Sequence, residues 1–295
     1  MTHSFIKITN LQKIEESFEA LILDIWGVLW DGIEPYAHAK DSLKKLKAKN
    51  VPIILLSNAP RRIHVVKKKL FDIGIHDNLY DEIISSGEIC RNNFLNNKSI
   101  ISKIGKYFYF IGQNEDKSIT EGLQVEQVDD IKYADFLLVC GTRDFDDNLG
   151  VYKNEMKKAL EFKLPFVCAN PDKVVIRQNG NLLICAGQMA EYYKNNGGKI
   201  YSFGKPYPSA YEACIKYLEK LKPHIKKKEI LIVGDSLETD ILGANNINIP
   251  SLLIASGIHN KDLLIDKGYV SNDQIRKIFS DNASYPNFIM KQFIF

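Results

Sequence analysis

Leu21-Ile22-Leu23-Asp24-Ile25-Trp26-Gly27-Val28-Leu29-Trp30-Asp31-Gly32 opens with three apolar residues in a row, the pattern of a strand buried on both faces of a parallel sheet. A carboxylate sits at the C-terminal tip of that strand and glycines follow it. In open α/β sheets such tips are where ligands bind. Outward from this stretch, strand-like and helical runs alternate: a lysine-rich helix after Ala37, a strand over Val51 to Leu56, a helix from about Arg61, and a strand over Asp81 to Ser85. This β-α-β rhythm predicts an α/β fold whose parallel sheet carries helices on both faces, a doubly wound, Rossmann-like core.

A second α/β stretch begins near Glu88, with strand candidates at Lys106 to Ile111, Asp135 to Val139, Pro165 to Ala169 and Leu182 to Ile184. The first pattern is expected to resume at Lys199 to Phe203 and Glu229 to Val233. Residues 88–196 therefore read as an inserted α/β domain, and residues 1–87 with 197–295 as the discontinuous domain that receives it. Asn195-Asn196-Gly197-Gly198 is the clearest punctuation between them.

Composition narrows the function classes. The chain has 295 residues, 45% of them hydrophobic, enough for one large or two ordinary domains. Thirty-nine basic against thirty-six acidic residues give a formal charge of only +3, with the lysines scattered over amphipathic stretches such as Ser42 to Lys49. Solvated helix faces follow, not a nucleic-acid-binding stripe. Met1 to Asn10 lack signal-peptide features and no apolar run reaches the length of a membrane span, so the expectation is a cytoplasmic protein without membrane or nucleic-acid partners. Five cysteines, with no C-x-x-C pair, argue against disulfides or structural zinc; Cys140, Cys168 and Cys185 end apolar runs and read as small buried hydrophobes. His64 reads as a helix-surface residue.

Four short segments carry the chemistry. Asp24 is the first. Ser57-Asn58 ends an apolar strand ahead of Pro60-Arg61-Arg62, which is expected to start a helix whose N-terminus favours an anion. Lys205 is fixed between Gly204 and Pro206, and Ile230-Leu231-Ile232-Val233-Gly234-Asp235 delivers a second strand-tip carboxylate, with Asp240 five residues on. Phosphoryl transfer to a carboxylate explains why these residue types belong together. An attacking Asp and a dianionic phosphate repel, so a hard divalent cation with oxygen ligands, Mg²⁺, is needed between them. Asp24, a backbone carbonyl near Trp26, and Asp235 are the expected ligands, with Asp240 one layer behind. Lys205 is expected to neutralise charge on the phosphoryl oxygens, and Ser57 and Asn58 to orient them.

In these four motifs the sequence resembles the haloacid dehalogenase-like (HAD) hydrolases, and within them the class IIA phosphatases that include sugar- and nucleotide-phosphatase-like proteins. Asp24 matches the nucleophile motif, here in the variant form D-x-W-G-V, Ser57 the second motif, Lys205 the third, and Gly234-Asp235 with Thr239-Asp240 the fourth. Cys140-Gly141-Thr142-Arg143-Asp144-Phe145 and Ala169-Asn170-Pro171-Asp172 look like loops of the class II cap. The resemblance implies that the insertion is an α/β cap domain and that Asp24 forms an aspartyl-phosphate. It also implies a small phosphorylated metabolite as substrate and pairing of two copies through their caps. Arg61, Arg143, Asn170 and Asp172 are the expected contacts to that substrate, arginine forks being suited to carboxylates or a second phosphate.

The departure from the family pattern is Trp26. There the phosphatases carry the Asp that protonates the leaving alkoxide and then activates water, neither of which an indole does. Two readings follow: a Mg²⁺-dependent phosphatase weakened or altered by this change, or a catalytically impaired relative that binds a phosphorylated metabolite and reports it. In the first, Asp31 is the nearest alternative proton source. Trp26 is otherwise expected simply to pack against the cap or a ring-bearing ligand.

Overall fold

The apolar run at Leu21 forms the strand Ala20–Leu23 in the computed structural model, which describes residues 4–176, 181–265 and 268–295. Among these residues, seven strands make one all-parallel sheet in the order Ile6–Lys7, Phe288–Met290, Ser251–Ile254, Ile230–Gly234, Ala20–Leu23, Ile53–Ser57, Glu82–Ser85. The chain winds one way from Ala20–Leu23 through Ile53–Ser57 to Glu82–Ser85, then the other way from Ile230–Gly234 outward. The reversal falls between Ala20–Leu23 and Ile230–Gly234, and there a crevice opens at the strand tips.

Side-chain alternation builds the two layers. Leu21 and Leu23 pack with Leu43 and Leu46 of the helix Ala39–Ala48 and with Val66 and Leu70 of the helix Ile63–Asp72. Ala20 and Ile22 point the opposite way, toward Tyr211, Cys214 and Leu218 of the helix Pro208–Leu221. The doubly wound arrangement is therefore as the periodicity predicts.

A second all-parallel sheet has the order Ile200–Ser202, Phe166–Cys168, Phe136–Val139, Tyr107–Ile111, Glu126–Val128. Leu137, Val139 and Phe166 on one of its faces are covered by Tyr152 and Met156 of the helix Leu149–Glu161 and by Met189 and Tyr193 of the helix Ala186–Asn195. Phe108, Phe136 and Leu138 on the other face share one continuous apolar cluster with Ile22 and Ile54 of the first sheet. The two sheets are thus joined through packed side chains.

Two expectations are corrected here. The strand at Ile200–Ser202 does not resume the first sheet but pairs in parallel with Phe166–Cys168 in the second. The helix Ala186–Asn195 returns over that sheet, and the Gly197-Gly198 turn feeds the next strand into it, so the glycine cluster is a turn within a β-α-β unit. Leu182–Ile184 forms instead a separate antiparallel pair with Val174–Ile176. No helix among the described residues is long and apolar enough to cross a membrane. The five cysteines are all buried and unbridged, with burial pushing the Cys168 thiol up to about 12, as expected of packing residues.

Candidate active site

Asp24 follows its strand directly: its amide donates to Val233 O at 2.8 Å, so the backbone is still held by the neighbouring strand where the carboxylate leaves the sheet. The chain then turns through Gly27, whose φ of +82° lies in the region that suits glycine. A Cβ there would come within 2.0 Å of Asp235 Oδ2. The glycine after Trp26 therefore gives both the turn and the room for the second strand-tip carboxylate. Asp235 Oδ2 accepts from Ile258 N at 2.8 Å, which fixes its orientation.

Asp24, Asp235 and Asp240, all buried, each place a carboxylate oxygen within 4.8 Å of the others'. One cation is already among them. Lys205 Nζ lies 2.6 Å from Asp24 Oδ1 and 2.7 Å from Asp240 Oδ1. Burial pulls the Lys205 pKa down, but Asp24 and Asp240 outweigh it and hold the ammonium above its ordinary range. Against three carboxylates one ammonium is not enough. Burial, with Asp240 and Asp235 nearby, pushes Asp24 well above the usual carboxylate range despite Lys205, and burial beside Asp240 pushes Asp235 up to about 7. A divalent cation relieves such a cluster. A small cavity of about 40 Å³ bordered by Asp24, Trp26, Asp235 and Ser236 offers the space. Asp240 uses Oδ1 on Lys205 and Oδ2 on the Ser236 amide at 3.2 Å, which suits the supporting place expected for it. The donor set fits a hard divalent ion.

A larger cavity of about 190 Å³ rises from Asp24 toward the second sheet. Ser57, Asn58 and Asp172 line it low down, and Trp26, Trp30, Val65, Leu70, Leu183 and Ile184 form much of its apolar wall. Ser57 ends the strand Ile53–Ser57 and its Oγ accepts from Ala59 N at 3.1 Å, which leaves the hydroxyl proton for an anion.

Asn58 departs from expectation. Its Oδ1 accepts from the Lys205 amide at 2.7 Å, and its Nδ2 donates to Lys205 O at 3.2 Å and to Asp172 Oδ1 at 2.8 Å. The side-chain amide clamps the lysine's backbone and a residue of the insertion; it is a positioning group, not an anion ligand. The neighbouring helix also begins later than expected, at Ile63, and the Ile63 amide donates to Glu88 Oε2 at 3.3 Å. That helix start is taken by a carboxylate of the protein itself.

The arginines are likewise corrected. Arg61 borders the cavity, but its Nε lies 2.6 Å from Asp116 Oδ1 and its Nη2 donates to Gln113 Oε1 at 3.2 Å. It ties the first sheet's loop to the insertion. Arg143 is not among the described residues lining the cavity; its guanidinium forks onto Glu155 at 2.6 and 2.9 Å within the insertion. Asn170 does border the cavity, with its Oδ1 accepting from the Asp172 amide at 3.1 Å. Asp31 lies outside the cavity lining, and its Oδ1 accepts from the Ile33 and Glu34 amides at 2.7 Å each, closing its own turn. His64 is exposed on its helix, as predicted.

Trp26 packs against the insertion. Its Nε1 donates to Ile176 O at 3.0 Å, and its ring meets Trp30 edge-on with centroids 5.1 Å apart. Sequence reasoning did not find Trp30, Asp116 or Ile258, whose roles depend on partners distant in the chain. Only the i, i+4 spacing of the two tryptophans hinted at a shared surface.

Carboxylates at two adjacent strand tips, a buried lysine between them and a cavity roofed by an inserted layer define an aspartate-centred α/β hydrolase site. The chain belongs to the haloacid dehalogenase-like hydrolases: a family model of that description matches residues 21–126, and a HAD-hydrolase-like model matches residues 202–278. Among curated proteins it is 26% identical over 248 residues to the ribonucleotide monophosphatase NagD of Escherichia coli, covering 82% of this chain and 89% of that one. It is 25% identical over 244 residues to the sugar-phosphatase AraL of Bacillus subtilis, covering 80% and 83%. A haloacid dehalogenase-like hydrolase from Brucella suis superposes with a TM-score of 0.83 at 28% identity, covering 97% of this chain and all of the other.

Proposed function

We propose that the protein is a Mg²⁺-dependent phosphatase that hydrolyses a small phosphorylated metabolite through an aspartyl-phosphate on Asp24. The observation that carries this reading is the Lys205 ammonium 2.6 Å from the Asp24 carboxylate at the floor of the cavity, with Asp235 and Asp240 within reach. The family's phosphatases agree with it; NagD and AraL are named for nucleotide and sugar phosphates.

Asp24, the Trp26 carbonyl and Asp235 hold the ion, which when bound supplies positive charge between the attacking carboxylate and the phosphate. The remaining work falls to side chains. Asp24 attacks phosphorus, Lys205 offsets the charge that builds on the phosphoryl oxygens, and the Ser57 hydroxyl donates to one of them. Asn58 keeps Lys205 in place. Residues 88–196, with the strand that follows them, act as the cap, whose apolar wall shields the aspartyl-phosphate from uncontrolled hydrolysis.

Phosphate release from an aryl phosphate and from a panel of phosphometabolites, measured with Mg²⁺ and with chelator, tests the reading. Release that requires both Mg²⁺ and Asp24 is expected. Equal release by wild type and Asp24→Asn would overturn it and favour the second reading, a relative that binds a phosphometabolite without turning it over, for which the indole at position 26 is the one specific observation.

A further inference from the structure

With tryptophan at position 26, the leaving oxygen of a phosphate ester still needs a proton, and the cavity contains few groups that could give it. Three carboxyl groups line it among the described residues: Asp24, Asp116 and Asp172. Asp24 is the nucleophile. Asp116 is held by Arg61 at 2.6 Å and by the Gln113 amide at 3.1 Å. We propose that Asp172, carried by the insertion, is the proton donor and acceptor of this site. The inference rests on the phosphatase reading above.

The geometry supports it in three ways. Asp172 and Asp24 border both cavities, so Asp172 faces the nucleophile across the space where the ester must sit. Its Oδ1 is fixed by Asn58 Nδ2 at 2.8 Å, while the same Asn58 holds the main chain of Lys205, whose ammonium touches Asp24. Asp172, Asn58, Lys205 and Asp24 thus form one connected framework. The turn is also anchored on its far side: Lys173 Nζ lies 3.3 Å from Glu238 Oε1 of the first domain, and Trp26 Nε1 holds Ile176 O at 3.0 Å. The residue that stands where the acid is missing therefore pins the strand that follows the replacement.

A bound phosphate decides the protonation state. An ionised Asp172 would face the phosphoryl oxygens and Asp240 with like charge; the neutral acid instead donates through its hydroxyl. Loss of water in the cleft works in the same direction, raising Asp172 against the pull of Lys205. In the first step Asp24 forms its bond to phosphorus, the bond from phosphorus to the leaving oxygen breaks, and that oxygen takes the Asp172 proton to depart as an alcohol. In the second step water attacks phosphorus, gives its proton to the Asp172 carboxylate, and the bond to Asp24 breaks. Inorganic phosphate leaves and both aspartates return to their starting states.

The test compares leaving groups. Wild type and Asp172→Asn, which keeps an acceptor for Asn58, are assayed with Mg²⁺ on a series of esters from alkyl to nitrophenyl phosphate, and phosphoryl-Asp24 is followed by intact mass. The expected result is a loss of about 10²- to 10⁴-fold on the alkyl ester, a much smaller loss on formation of phosphoryl-Asp24 from the nitrophenyl ester, and accumulation of that species. A purely structural role would lower all esters by one factor and accumulate nothing. That outcome, or no loss at all, overturns the proposal while leaving the phosphatase reading intact. If Asp172→Asn does not fold, the wild type decides alone: a shallow dependence on leaving-group pKa supports an acid in the site, and a steep one overturns it. Absence of any Asp24-dependent turnover in wild type overturns the phosphatase reading and this inference together.

Discussion

Trp26 Nε1 donates a 3.0 Å hydrogen bond to the carbonyl of Ile176, 150 residues further along the chain. The bond links the loop behind the nucleophile to the short strand Val174–Ile176 of the insertion, two residues beyond Asp172. A position that in related phosphatases does proton chemistry has here become an anchor between the two layers.

Trp26→Phe keeps an aromatic ring beside Trp30 and removes only the donor. The expected cost is about 1 kcal/mol, felt locally at the Val174–Ile184 segment and not across the whole fold. Hydrogen exchange should show those described amides about fivefold less protected, with the Ala20–Leu23 strand unchanged. Equal loss of protection in both places would mean that the indole supports the fold generally.

Mg²⁺ should raise the thermal midpoint of the wild type and do so far less for Asp235→Asn at the same concentration. The amide removes one negative charge and one hard oxygen ligand from a site that offers few. A saturating shift of equal size, reached at the same Mg²⁺ concentration in both proteins, would place the ion elsewhere.

The pH dependence of the metal-free protein follows from the raised carboxyls. Asp235 is held up to about 7 and Asp24 is also raised, so between the ordinary carboxylate range and about pH 7 the folded state binds protons that the unfolded chain has released. Their stabilising contribution is full below the ordinary carboxylate range and is lost as pH rises through about 7. Urea midpoints in chelator should therefore fall from pH 5 to pH 8, and saturating Mg²⁺ should flatten or reverse the trend. Midpoints that rise with pH in chelator would contradict the clustering of these groups.

Arg61→Ala should act on stability and not on substrate selection. It leaves Asp116, buried and already raised by that burial despite its partner, without a cation, at an expected cost of about 1–3 kcal/mol. Denaturation midpoints should fall, while the order of preference across a metabolite panel stays the same. A reordered panel in a fully stable variant would restore the arginine to the substrate.

The doubly wound sheet was legible in the sequence because each buried parallel strand reads as a short apolar run whatever surrounds it. The candidate site was legible as residue types at strand tips: Asp24, Ser57, Lys205 and Asp235 stand where the segments placed them, since a strand tip projects its next side chain into the crevice by backbone geometry alone. Pairing was not legible. Ile200–Ser202 is apolar enough for either sheet, and only the helix packed before it selects the second. The partners of the polar side chains were equally hidden. Asn58 and Arg61 have the right chemistry for a phosphate, yet Lys205, Asp172 and Asp116, at distances of 55 to 147 residues in the chain, engage them first. Hydrogen bonds and ion pairs act over a few ångströms, so which donor meets which acceptor is decided only when the chain has folded. By itself the sequence determined which strands carry the chemistry and that the usual acid is absent; the tertiary structure decided that Trp26 holds the insertion down and that Asp172 of that insertion faces the nucleophile.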